Sequence, residues 1–80
     1  MPDPLALVWY IELRGPEALA TLGGTLDQLA ALPDFLGAEL LASPAQPELA
    51  LLESRWAAGP PSLLLPAGAK SWTFEVKDRR

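Results

Sequence analysis

Residues 33–56 read PDFLGAELLASPAQPELALLESRW, two strand-like runs joined by a turn that holds Pro44 and Pro47. Proline cannot donate to a strand ladder, so residues 43–47 are kept out of any sheet and the runs on either side become separate strands. In the second run, residues 48–56, Ala50, Leu52, Ser54 and Trp56 share a face that carries no charge. Leu49, Leu51, Glu53 and Arg55 share the other.

The remaining elements follow from the same punctuation. Residues 5–14, LALVWYIELR, lie between Pro4 and Gly15-Pro16 and are rich in β-branched and aromatic side chains, the strongest strand in the sequence. Its odd positions, Leu5 to Leu13, are all apolar, whereas its even positions pass from Ala6, Val8 and Tyr10 to Glu12 and Arg14. Pro16 and Glu17 then open a helix, roughly 16–32, with proline at its first position and an acid in its first turn. Leu19, Leu22, Leu26 and Leu29 form its apolar stripe. Gly23-Gly24 costs such a helix about 1 kcal/mol per glycine, and Thr25 to Gln28 resembles a capping box, so a helix restarting at Thr25 competes with a single one. The single helix is preferred because the leucine stripe keeps its phase across the glycines. Residues 62–68, SLLLPAG, allow a helical turn at most. The last strand, 71–77, alternates Trp72, Phe74 and Val76 inward with Thr73, Glu75 and Lys77 outward.

The order β, α, β, β, short α or loop, β is that of the ferredoxin-like split βαβ unit. The expected fold class is therefore α+β in a single domain, residues 1–80. Its antiparallel sheet has strand order 4-1-3-2, with strands 1 and 3 in the middle and the second helix reduced.

An 80-residue domain buries only about 60 to 65% of the surface its unfolded chain exposes, so its own core is thin. The chain has no Cys for a disulfide and no His for a structural metal site. Oligomerisation is the remaining support, and a homodimer is expected. The net charge of −4, with acids spread along the chain, argues against a nucleic-acid surface; Lys77, Arg79 and Arg80 read as a solvated tail. No basic region precedes the apolar run 5–11, which falls short of the roughly 20 residues that span a bilayer, so a cytoplasmic protein with no membrane partner is expected.

The segment PDFLGAELL, 33–41, resembles the "PGF-x-G-x-E-x-L" segment of the antibiotic biosynthesis monooxygenase-like family, and LLESRW, 51–56, resembles its following strand that ends in tryptophan. The resemblance extends from Leu5 to about Ala58. It implies a dimeric α+β barrel, two ferredoxin-like sheets closing on each other. The haem-degrading branch relies on asparagine, tryptophan and histidine, and the cofactor-independent monooxygenases on a set that includes asparagine, tryptophan, tyrosine and arginine. This chain has neither His nor Asn, which rules out haem ligation of the usual kind, and no cofactor is expected; Asp34 replaces the family's glycine and the second helix, which helps wall the pocket in relatives, is cut down to residues 62–68, and both weaken the enzyme reading.

Trp9, Trp56, Trp72 and Phe74 are candidates to converge between sheet and helix on a flat apolar ligand, with core filling the preferred role. Arg55 is a candidate to hold an anionic substrate group and Tyr10 to donate a proton; the preferred role of these and of Glu12, Arg14 and Glu53 is cross-strand pairing. No phosphate loop, no nucleophile with a base and no metal-ligand cluster is present in the sequence. Two functions remain: a non-catalytic or ligand-binding dimer, and a cofactor-independent monooxygenase acting on a small aromatic or quinol substrate.

Overall fold

A computed structural model describes residues 6–59 and 61–80. The expectations placed on residues 1–5, including Leu5 at the start of the first strand, and on Pro60 lie outside the described residues. The chain runs β1 (Leu7–Arg14), α1 (Ala18–Ala30), β2 (Phe35–Ala42), β3 (Leu49–Trp56) and β4 (Lys70–Glu75). All strand pairings are antiparallel, and the sheet order is β2-β3-β1-β4, the order expected of the ferredoxin-like unit. Among the described residues no helix is long and apolar enough to cross a membrane.

The helix is continuous across Gly23-Gly24 but shorter than its spacing predicts. It starts at Ala18, so Glu17 is the N-cap and not a first-turn acid, and its side chain makes no capping hydrogen bond. Thr25 does not restart the helix. It is buried mid-helix, and its hydroxyl donates to the Thr21 carbonyl at 3.3 Å, the usual way a threonine satisfies itself inside a helix. The buried line is Ala18, Leu22, Thr25 and Leu29, which rotates the stripe: Leu19 is 48% exposed, and Leu26 sits at the margin of the core.

Two tight turns set the sheet. Asp34 adopts a left-handed backbone, φ 67°, just before β2, and its carbonyl accepts from the Ala57 amide at 2.9 Å, so the start of β2 is tied to the end of β3. Aspartate tolerates this conformation better than most residues, although glycine is its usual occupant. A register shift between Phe35 and Gly37 then turns Leu36 out to solvent. At the far end, the Ser43 hydroxyl accepts from the Gln46 amide at 3.1 Å and closes the proline-bearing turn.

The segment 61–66 is irregular, not a helical turn; Leu63 and Leu65 reach the core, Leu64 is exposed, and the Ala69 amide closes a turn on the Pro66 carbonyl at 3.1 Å. Consequently α1 packs over β1, β2 and β3 only, and no helix among the described residues covers β4. Every residue of β4 is exposed. The inward reading of Trp72 and Phe74 is thereby corrected: they pair with Tyr10 and Val8 and lie on the side away from α1. Period two says which residues share a face, but only the placement of the helix says which face is covered.

The helical glycines are a removable weakness. An added Cβ at Gly24 would meet nothing within 4 Å, and one at Gly23 would make ordinary contact with Leu40 at 3.9 Å. Gly24→Ala and Gly23→Ala should each stabilise the fold by about 0.5–1 kcal/mol in urea unfolding. No gain from either would mean that α1 does not limit stability.

Candidate functional site

The sheet separates the five residues that the sequence brings forward as a ligand site. On the covered face, Trp9 and Trp56 meet edge-on with ring centroids 6.4 Å apart, and Phe35 closes on Trp56 at 5.5 Å. Trp56 is 1% exposed, and both tryptophans belong to the core beneath Leu22 and Leu29. Strand register places Ser54 opposite Trp9. The buried Ser54 hydroxyl accepts from Trp56 Nε1 at 2.8 Å and donates to the Trp9 carbonyl at 3.2 Å. The Ser54 hydroxyl and the Trp56 indole N–H are therefore satisfied, and no buried side-chain polar atom among the described residues lacks a partner.

Trp72, Phe74 and Arg55 lie on the opposite, open face. Phe74 packs edge-on against the half-buried Tyr10 at 5.6 Å, while Trp72 and Phe74 remain 46% and 55% exposed. The Arg55 guanidinium is paired with the Glu53 carboxylate and lies over Gly37, where a Cβ would come within 2.7 Å of its terminal nitrogen. Glycine at 37 thus gives the guanidinium its bed. Arg14 approaches Glu12 at 4.0 Å and donates to the Gln46 side-chain oxygen at 3.0 Å. Both acid–base pairs join residues two apart on one strand, not residues on adjacent strands as expected. Alternation brings i and i+2 to the same face, and here the like-sided neighbours carry opposite charge.

Shallow hollows flank this face. One, of about 130 Å³, is lined by Glu12, Arg14, Lys70 and the Ala67-Gly68 turn; the other, of about 160 Å³, is lined by Leu41, Ala42, Ser43, Leu49 and Leu51. Neither has an aromatic lining. Off the open face, the Glu75 carboxyl is held below its usual value by a hydrogen bond from Lys77 and by that residue's charge, and Lys77 is raised in turn. Both are fully exposed, so this pair belongs to solvent. Among the described residues no group of three acid or histidine side chains lies close enough to hold a metal ion.

What the arrangement offers among the described residues is apolar contact area beside paired charges. Sequence reasoning passed over Gly37, Ser54 and Leu41 for this site. The lack of charge on the Ser54 and Trp56 face pointed to the buried pair, whereas nothing local marks Gly37 as the bed of Arg55.

Trp56→Ala should cost about 3–5 kcal/mol of stability, the range for a fully buried ring, and Ser54→Ala about 1–3 kcal/mol because it strands the indole N–H. Chemical denaturation measures both. A Trp56→Ala protein that keeps its melting temperature within a few degrees would mean that the ring is not a core group.

No family model matches this sequence, and neither a curated protein nor a solved structure matches it significantly.

Proposed function

We propose that this chain is a homodimer of the dimeric α+β barrel kind, related to the antibiotic biosynthesis monooxygenase-like family, and that it acts by binding rather than by catalysis. The observation that carries this reading is the open face of the sheet, where Trp72 and Phe74 stand about half exposed beside Tyr10 and Val8, with Leu51 and Leu41 on the far strands of the same face. Water-exposed aromatic area on one contiguous face is the usual mark of an interaction surface. A second sheet laid on it would supply the apolar cover that a domain of this size lacks.

The family likeness gains support from local geometry. The strand order agrees with the ferredoxin-like unit, and Asp34 takes a left-handed conformation at the position where the resembled segment carries glycine. A small apolar or aromatic ligand would meet Trp72, Phe74 and Arg55 at the edge of the interface, while Trp9 and Trp56 hold the layer beneath. Binding ranks above oxygenase chemistry because the guanidinium that would hold an anionic substrate group is already paired, Arg55 with Glu53.

Sedimentation equilibrium at micromolar concentration should give twice the chain mass of 8.6 kDa. Trp72→Glu, which sets a charge in the aromatic patch, should weaken the dimer at least about 100-fold while leaving the fold intact, as loss of an interface aromatic does. A native chain that remains a folded monomer at tens of micromolar would overturn the proposal.

A further inference from the structure

The hollow of about 130 Å³ at the end of β1 gathers two of the six bases of a chain whose net charge is −4. Strand register brings them together. Lys70, the first residue of β4, is the partner of Glu12, and Arg14 lies two residues farther along β1 on the same side of the sheet. Elsewhere Arg55 is closed on Glu53, Lys77 on Glu75 and Arg80 on Asp78. Lys70 differs: it forms no ion pair among the described residues, although Glu12 faces it across the ladder.

Arg14 is anchored without being neutralised. Its Nη1 donates to the uncharged Gln46 side-chain oxygen at 3.0 Å, and its Nη2 stands 4.0 Å from Glu12 Oε1, beyond hydrogen-bond reach. Another wall of the hollow is a type II turn over Pro66 to Ala69: the Ala69 amide donates to the Pro66 carbonyl, and Gly68, at φ 82°, takes the third position, which requires a positive φ. The turn's own bond leaves the Ala67 and Gly68 amides unused, and neither donates to a backbone carbonyl among the described residues. Two cations, one carboxylate and two spare amides thus surround a space close to the roughly 150 Å³ that holds a benzene ring in a protein core.

We propose that this hollow binds a small monocarboxylate. A carboxylate brings one negative charge and two coplanar oxygens, so it can accept from Arg14 Nη2 and from the Lys70 ammonium together and leave the site neutral. A phosphate dianion would leave it negative beside Glu12, and a cation would meet two bases for one acid. Glu12 is therefore the residue that sets selectivity: it subtracts one charge from the pair of bases and limits the hollow to a monoanion.

Titration of the isotope-labelled native chain with sodium propionate, followed by amide NMR, tests the site, and because it does not read oligomeric state its outcome is separate from that of the proposed dimer. The Arg14, Gly68 and Lys70 amides should shift along one saturable curve in the millimolar range, which sodium chloride at equal ionic strength should not reproduce. Lys70→Met and Arg14→Gln, both at exposed positions, should each weaken propionate binding at least about tenfold, as loss of a charge-assisted hydrogen bond does. At mildly alkaline pH, where inorganic phosphate is a dianion, the native chain should prefer propionate by at least about tenfold, and Glu12→Gln should bring phosphate to within about threefold of it. Shifts that never saturate, that chloride reproduces, or that survive Lys70→Met and Arg14→Gln unchanged would overturn the site. A native chain that takes phosphate as tightly as propionate, or a Glu12→Gln chain that still rejects phosphate, would overturn the assignment of a monocarboxylate.

Discussion

The Ser54 hydroxyl, wedged between two tryptophans, holds the two central strands to each other at a point where no solvent can substitute. It takes the Trp56 indole proton and gives its own to the Trp9 carbonyl, so β1 and β3 are joined by a side-chain bridge in addition to their ladder. In an apolar layer each of these groups would cost about 1–3 kcal/mol if left unpaired, which makes the pairing of these strands hard to shift by even one residue. Leu22 and Leu29 of α1 rest on this pair of rings, and Phe35 extends it to β2. Asp34, immediately before Phe35, is bonded to Ala57, immediately after Trp56, so the aromatic cluster and the left-handed turn fix the same corner of the sheet.

The molecule is asymmetric about its sheet. One helix covers three of four strands, and the strand it leaves out carries Trp72 and Phe74 on the side turned away from it. The irregular segment 61–66 contributes Leu63 and Leu65 to the core but no layer over β4. A fold with so little of its own cover on that flank has apolar area to place elsewhere, and the open face is where its exposed rings and its balanced charges coincide.

The four strands and the helix were legible because period and punctuation agree: β2 occupies the residues its pattern marks, and the uncharged face of β3 is the buried one. What was not legible depends on contacts that no local pattern encodes. Alternation in β4 identified Trp72 and Phe74 as companions without saying on which side α1 would lie. The leucine stripe of α1 was misplaced by part of a turn because small Ala18 and Thr25 fit the close approach to the sheet while larger Leu19 is turned out. Arg55 was read as pairing across strands, yet Glu53 two residues away is nearer than any opposite acid. For the candidate site, the residue types were visible and their division between two faces was not.

The composition of α1 also bears on how the chain folds. With two adjacent glycines, no side-chain cap, no acid in its first turn and no base in its last, this 13-residue helix has little stability in isolation. Its turns must be held by the layer of Trp9, Trp56 and Leu52 that β1 and β3 present, and those strands are separated in sequence by the helix itself. The contacts that steady α1 are therefore non-local: β1 must meet the β2–β3 pair across the helix and β2, and a helix weak in isolation does little to shorten that loop beforehand.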